Sequence, residues 1–368
     1  MRNPKAIAIT VGFVVLLLVG FLFLRSPKPI IELRAETLFP LGPLNVTNTI
    51  VTSWIVIIFL AVFTYLATRR MSLIPGGLQN FAEAVIEWIY NLVVSTAGEK
   101  HGRRFFPVVA TILIYVAVSN WFGLLPFFAT VGKVEDVTAE DFHEKAIVVR
   151  DVGGLNIIMP NAGDFEFEAN EDASVAEKEA AIREATEGEL GEDEKPGVLV
   201  PFLRSVNTDL NAPLALAIMS AIFVEFWGIS THGFFRYASR FFRPRSFLDA
   251  LGALREMLAG AAKLSFSRLL DGFTRLVGAF ADFLAGIVEL VAEAVRLVSF
   301  SFRLFGNIFA GEMLFLVVIF LLPLVALQFV YFLELFVGLI QAFIFAMLTL
   351  VFGVIAVAAH GGEGEEHT

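Results

Sequence analysis

The sequence predicts an all-α polytopic membrane protein. About six membrane-embedded helices are expected, including a long tilted C-terminal hairpin, with amphipathic surface helices and an acidic extracytoplasmic insertion. Three observations carry this. Hydrophobic residues fill 57% of the 368 positions and mean hydropathy is +0.75, far above the balance of a soluble domain. Several apolar runs reach about 18 residues or more, enough to cross a hydrocarbon core of about 30 Å. The acids are concentrated: residues 131–200 carry 19 acids and 6 bases, in a chain whose net charge is −10. The acidity thus belongs to one segment, and nothing in the charge points to nucleic acid. The absence of cysteine excludes disulfides, thiolate metal sites and cysteine nucleophiles.

The elements follow in order. Arg2 and Lys5 precede an apolar run from Ala6 to Leu24; without a small-x-small site after it, residues 1–30 read as an uncleaved anchor, a cleaved signal peptide being the alternative. Within residues 31–130, a connection broken by Pro40 and Pro43 leads to a span from Ile50 to Ala67 that ends at Arg69 and Arg70. Those arginines mark the cytoplasmic side. Residues 78–97 place Leu78, Phe81, Ala82, Val85, Trp88, Ile89 and Leu92 on one helical face, the pattern of an amphipathic surface helix. Phe105 to Phe128 then spans outward, carrying Asn120.

Residues 131–205 form the acidic extracytoplasmic insertion, which by composition buries little; Ala173 to Gly188 reads as a charged helix. Within 206–245, Leu210 to Ile229 crosses back, opened by Asp209 and Asn211, and Arg236, Arg240, Arg243 and Arg245 mark its cytoplasmic end. In 246–285, Leu248, Leu251, Leu254 and Leu258, then Leu269, Phe273, Leu276 and Phe280, repeat at threes and fours. One or two amphipathic helices on the cytoplasmic side are expected, lying on the membrane or against another subunit. Residues 286–360 read as a helical hairpin turning near Pro323, long enough to require strong tilt, before an acidic tail at 361–368. Both termini are expected in the cytoplasm.

The chemistry lies in polar residues inside these apolar runs. Arg303 sits in a stretch of Val, Phe, Leu and Ile, where an arginine costs about 2.5 to 3.5 kcal/mol on insertion scales and cannot escape by losing its proton. It reads as a functional charge facing a partner or water, with snorkelling to the interface as the alternative. Glu289, Glu293, Arg296, Arg303 and Asn307 follow a spacing of three, four and seven, one helical face. Glu312 lies nine positions past Arg303, about 180° around the helix. Glu334, Gly338 and Gln341 share a face of the last helix. A structural ion pair fits Glu293 with Arg296, but leaves Arg303, Glu312 and Glu334 without local partners. The histidines His101, His143, His232, His360 and His367 are scattered and read as solvated. No metal or cofactor is expected, and no paired nucleophile and base or His-Glu-x-x-His motif suggests an intramembrane enzyme. A stand-alone anion transporter built on Arg303 is the rival from another class.

The run Ser-Phe-Ser-Phe-Arg-Leu-Phe-Gly-Asn-Ile-Phe-Ala-Gly-Glu at 299–312, with Leu-Ile-Gln-Ala-Phe-Ile-Phe-Ala-Met-Leu-Thr at 339–349, resembles the signature of the F-type ATP synthase subunit a family. Gly77-Leu78-Gln79-Asn80, Glu99-Lys100 with Arg103 to Pro107, Asn120 with Gly123 to Pro126, and Asp209-Leu210-Asn211 support the resemblance. It implies a non-catalytic, proton-translocating stator subunit of a bacterial plasma-membrane enzyme. Its partners would be the ring of c subunits, the subunit b stalk, other synthase subunits and the bilayer. It places Arg303 on the essential arginine facing the ring carboxylate, between two offset aqueous half-channels. Glu312, Glu334 and Gln341 fall on positions tied to proton access, and Asn307, Glu289, Asp209, Asn211 and Asn120 on polar positions lining the paths. The insertion at 131–200, the length of 246–285, the first anchor, and Leu297 where proline is common all depart from the family pattern.

Overall fold

Helix α1, Asn48–Thr68, contains no charged residue in its 21 positions, which at 1.5 Å per residue cover about 30 Å. Its Ile, Val and Phe side chains are largely exposed, as a lipid-facing helix requires. The computed structural model describes residues 35–358, apart from short stretches within 126–193 and residues 243, 263–265 and 322–324. Before residue 35 it describes only 12, 14, 15, 18 and 19. The expected anchor at 6–24, the turn at Pro323 and the acidic tail therefore fall wholly or mostly outside the described residues. Among those described, five helices are long and apolar enough to cross a membrane, and the fold class is the all-α one that the sequence predicts.

Helix α2 runs from Leu78 to Gly123 and is broken at Gly98, where φ is 72° and ψ 163°. This backbone region belongs essentially to glycine. The break falls between the amphipathic stretch and the apolar span expected on either side of it. Further along come α3 (Val175–Thr186), α4 (Asn211–His232), α5 (Phe234–Phe242), α6 (Pro244–Ala262), α7 (Phe266–Leu321) and α8 (Val325–Ala358). The segment boundary expected at 286 is not a break: α7 passes through it over 56 residues. Apolar density rises there, but no proline interrupts the backbone ladder.

The chain forms two compact units. One holds the described residues through Gln79, then Ile114–Ala212 and Leu304–Phe343. It contains a short hairpin of β1 (Thr37–Leu41) and β2 (Leu44–Thr47), and α1. The insertion also lies here, and it is not the unburied segment its composition suggests. Strands β3 (Gly132–Asp136), β4 (Lys145–Val152), β5 (Leu155–Ile158) and β7 (Glu194–Pro201) form an antiparallel sheet in the order β3-β7-β4-β5, with β6 (Asp164–Glu166) pairing β4. Ala146, Val148 and Phe167 make a small core, covered by Ala181, Ile182 and Ala185 of α3. At the start of that helix the N–H and Oγ of Ser174 both donate to Glu177, at 2.9 and 2.8 Å, the back-reaching half of a capping box. The two hydrogen bonds hold the exposed Glu177 carboxyl below its ordinary pKa.

The other unit holds Asn80–Leu113, Pro213–Arg303 and the chain from Ile344. Its centre is aromatic: Trp227 lies against Phe105 at 4.2 Å between ring centroids, and Phe300 against Phe345 and Phe352 at 5.3 and 5.7 Å. Ser220 and Thr349 share a buried hydrogen bond of 2.7 Å. His232 is not a solvated loop residue; it closes α4 with its Nε2 2.9 Å from the Val357 carbonyl.

Candidate functional site

In the first unit, the end of α2, the segment before α4, the second half of α7 and the first half of α8 enclose a cavity of about 250 Å³. Asn120, Ser205, Thr208, Gly311, Glu312 and Glu334 supply its polar or open wall, among Leu, Ile and Phe side chains. Asn120 is almost fully buried. Its Nδ2 donates to the Gly338 carbonyl at 2.9 Å, and its Oδ1 accepts from Asn207 at 2.7 Å. Helix α8 is thus tied to α2 where both carry polar groups into the apolar layer.

Glu312 does not stand alone. Arg204 reaches it with Nε on Oε1 at 3.3 Å and Nη2 on Oε2 at 3.4 Å. The arginine side chain is 6% exposed and the glutamate 19%, so both charges are largely out of water. Glu334 makes no hydrogen bond or ion pair with any described residue. Space for its carboxylate exists because residue 311 is glycine: a methyl group there would collide with it.

Asp209 and Asn211 form a separate cluster at the start of α4. Asp209 accepts from Thr49 Oγ1 at 3.2 Å, and from the backbone N–H and side-chain amide of Asn211 at 3.1 and 3.0 Å. This holds the entry to the helix in the manner of an N-cap. Gln341 is buried on α8. Glu289 is half-buried on α7.

The stripe expected along α7 does not keep one environment. Arg296 bonds Glu293 at 2.9 Å and lies over the Phe352 ring at 3.7 Å. Phe300, next in the stripe, is buried. Arg303 and Asn307 are exposed; for Arg303 the reason is that the three residues from Phe300 turn the helix by about 300° rather than a full circle. Arg303 has no ion pair or hydrogen bond among the described residues. Gly306 and Ala310 share its exposed stripe.

The structure therefore brings Asn120, Glu312 and Glu334 together, joins Asp209 to Asn211, and leaves Arg303 and Asn307 facing outward. Sequence reasoning missed Arg204, Asn207 and Gly311. Arg204 had one usable signal, a lone cation between an acidic segment and an apolar span.

The family described as ATP synthase A chain matches residues 50–353. An ATP synthase subunit a from Moorella thermoacetica is 25% identical over 90% of this chain and 99% of its own length. Relatives with higher identity match less: one from Trichlorobacter lovleyi is 49% identical over 22% of this chain, and one from Pelobacter propionicus 44% over 24%. Of the lengths of these two the chain spans only 35% and 38%. The family match itself runs from the third residue of α1 to within one and a half turns of the end of α8, taking in every charged position of the site: the chain belongs to the ATP synthase A chain family.

Proposed function

We propose that this chain is the proton-translocating stator subunit of a rotary ATP synthase, without a catalytic site of its own. Two offset aqueous half-channels would lead to the carboxylates of a c-subunit ring, and Arg303 would separate them. One observation carries the reading: a permanently charged side chain is exposed on an apolar helix with no partner among the chain's described residues. Ionisable groups at that depth face a bundle interior or water, and the neighbouring Gly306 and Ala310 let another helix approach closely. A protonated carboxylate arriving beside this guanidinium has its pKa lowered and releases its proton. The same cation keeps the ionised carboxylate tolerable in a low dielectric and blocks direct leakage. The driving force is about 2.3 kcal/mol per charge for each 100 mV of membrane potential.

The cavity lined by Asn120, Glu312 and Glu334 is assigned to one half-channel. Ser205 Oγ and Asn207 Oδ1 are buried with no partner among the described residues, and buried polar atoms of this kind favour water. Gln341, Asn307, Glu289, Asp209 and Asn211 are assigned to the remaining paths. The protein is placed in the bacterial plasma membrane with both termini cytoplasmic and 131–205 outside, beside the subunit b stalk. The test is ATP-driven acidification of vesicles carrying the whole complex, in sodium-free buffer. Arg303→Ala is expected to abolish coupled pumping, and pumping retained at the wild-type rate removes Arg303 from this role.

A further inference from the structure

Helix α6 and α7 as far as Arg303 belong to one compact unit, and both carry rows of large apolar side chains that stay exposed. We propose that these rows form a single face that lies on a bilayer surface bearing anionic headgroups, a two-helix plate that anchors the first part of α7 to one leaflet. The pair packs through small residues. Only three positions separate the end of α6 at Ala262 from the start of α7 at Phe266, and Gly272 stands against Met257 and the Ala253 carbonyl. So short a link with that contact makes the helices antiparallel. Ala253 is buried on α6, and Gly272 and Ala279, seven apart, are buried on one face of α7.

Each helix turns its apolar row away from this seam. On α6 the row is Leu248, Leu251, Leu254 and Leu258, the first and last 65% exposed. On α7 it is Phe273, Val277, Phe280 and Leu284. At about 100° per residue, both rows lie past their buried face in the same rotational sense, by a third of a turn or a little more. On antiparallel helices the same sense brings both rows to one side of the pair. Asp271, Arg275 and Asp282 are exposed on the opposite side of α7. The result is apolar on one face and charged on the other, the build of an element that lies in a membrane interface.

Continuity names the occupant. The α7 row runs on through Val291, Val295 and Val298 to Phe302, all exposed, and no charged residue falls on it. Arg303 is turned about 100° from Phe302, so this row is a different face from the one given to the ring. The apolar stretch of α7, Leu270–Leu321, has 52 residues, about 78 Å of helix and more than twice the hydrocarbon core. A bilayer cannot hold that length upright; the first part runs along its surface with the same row still in lipid. Charge agrees. Residues 234–285 hold eight Lys and Arg against four Asp and Glu, in a chain of net charge −10. Arg255 is exposed beside the α6 leucines, where its stem covers apolar surface while its head reaches headgroup phosphate. A protein–protein interface draws on polar groups for its hydrogen bonds, and the two rows offer none.

The experiment uses the assembled synthase in vesicles of equal parts phosphatidylcholine and phosphatidylglycerol, with incorporation of each variant checked in the membrane. A benzophenone amino acid replaces Leu254 or Phe280 on the apolar face, or Asp271 on the charged face. Light then joins it to whatever lies against it, and the mass of the chain identifies the adduct. Phospholipid adducts are expected at Leu254 and Phe280, and about fivefold fewer at Asp271. Phosphatidylglycerol is expected to exceed phosphatidylcholine about threefold in the Leu254 adduct. Arg255→Gln should lower that preference to about twofold or less while the lipid adduct itself remains.

Adducts at Leu254 and Phe280 with another subunit, or with a second copy of this chain, overturn the proposal by naming a protein as the occupant. No adduct at either position places the face in water and overturns it as well. Equal shares of the two lipids, or a preference untouched by Arg255→Gln, remove the anionic headgroup from it. A charge placed on the same face gives a second readout that needs no label. Leu251→Glu with Leu258→Glu is expected to expose α6 to protease about tenfold faster in the assembled complex; an unchanged rate counts against the plate.

Discussion

Arg296 and Arg303 stand two turns apart on α7, and the molecule treats them in opposite ways. Arg296 is compensated inside its own chain, by Glu293 at 2.9 Å and the face of Phe352 at 3.7 Å. Arg303 is exposed and has no such neighbour. The same contrast recurs in the carboxylates, with Glu312 held by Arg204 and Glu334 unpaired among the described residues. Spacing along a helix cannot separate the two kinds of charge. What separates them is the residue that an adjoining element places opposite.

Substituting each arginine in turn tests the contrast most severely. Arg303→Ala is expected to lower pumping at least about 100-fold, whereas Arg296→Ala, which breaks only a partly exposed pair and a cation–π contact, should cost about threefold or less. Equal losses in assembled complexes would erase the distinction. A smaller effect is expected of Gly311→Ala, which drives a methyl group into the Glu334 carboxylate. That carboxylate is the far end of a flexible side chain and swings aside, so the complex should still assemble while the displaced group lowers pumping about tenfold. Glu312→Gln in the same background should add little beyond its own effect if the clash acts on Glu334 alone.

The insertion supplies the bland end of the comparison, many charges with no assigned part in pumping. Asp136 faces Gly197 in the β3–β7 ladder, so an Asn-Gly turn in place of residues 137–196 closes the hairpin without strain. Proton pumping by the shortened chain should remain within about twofold of wild type; loss of pumping in a well-assembled complex would give the insertion a direct part. Least of all is expected from Ser174→Ala. Because Ser174 holds the Glu177 pKa below its ordinary value, its stabilisation of α3 is present at neutral pH and lost as pH falls through that lowered pKa. Limited proteolysis should find the start of α3 more sensitive after acidification in the native chain, and already sensitive at neutral pH in the variant.

The spans were legible because a membrane helix announces itself over about 20 uncharged residues, and α1 and α4 follow their apolar runs closely. The sheet was not. Its β4 core is the four residues Ala146 to Val149, all buried, between Lys145 and Arg150. So short a run vanishes when composition is averaged over a segment holding 19 acids. The site was half legible for a related reason. Asn120, Glu312 and Glu334 stand out as polar residues in apolar helices, but Arg204 lies outside the helices and 108 positions from the glutamate it holds. Only the fold brings such a pair together.

The break at Gly98 carries a consequence of its own. An added Cβ there would meet nothing within 4 Å, so the demand for glycine is torsional and not steric. Handedness should then decide what the position accepts. D-alanine, introduced by semisynthesis, suits a positive φ that L-alanine resists, so a mirror-image residue should preserve the join between the two halves of α2 where its natural enantiomer straightens or strains it.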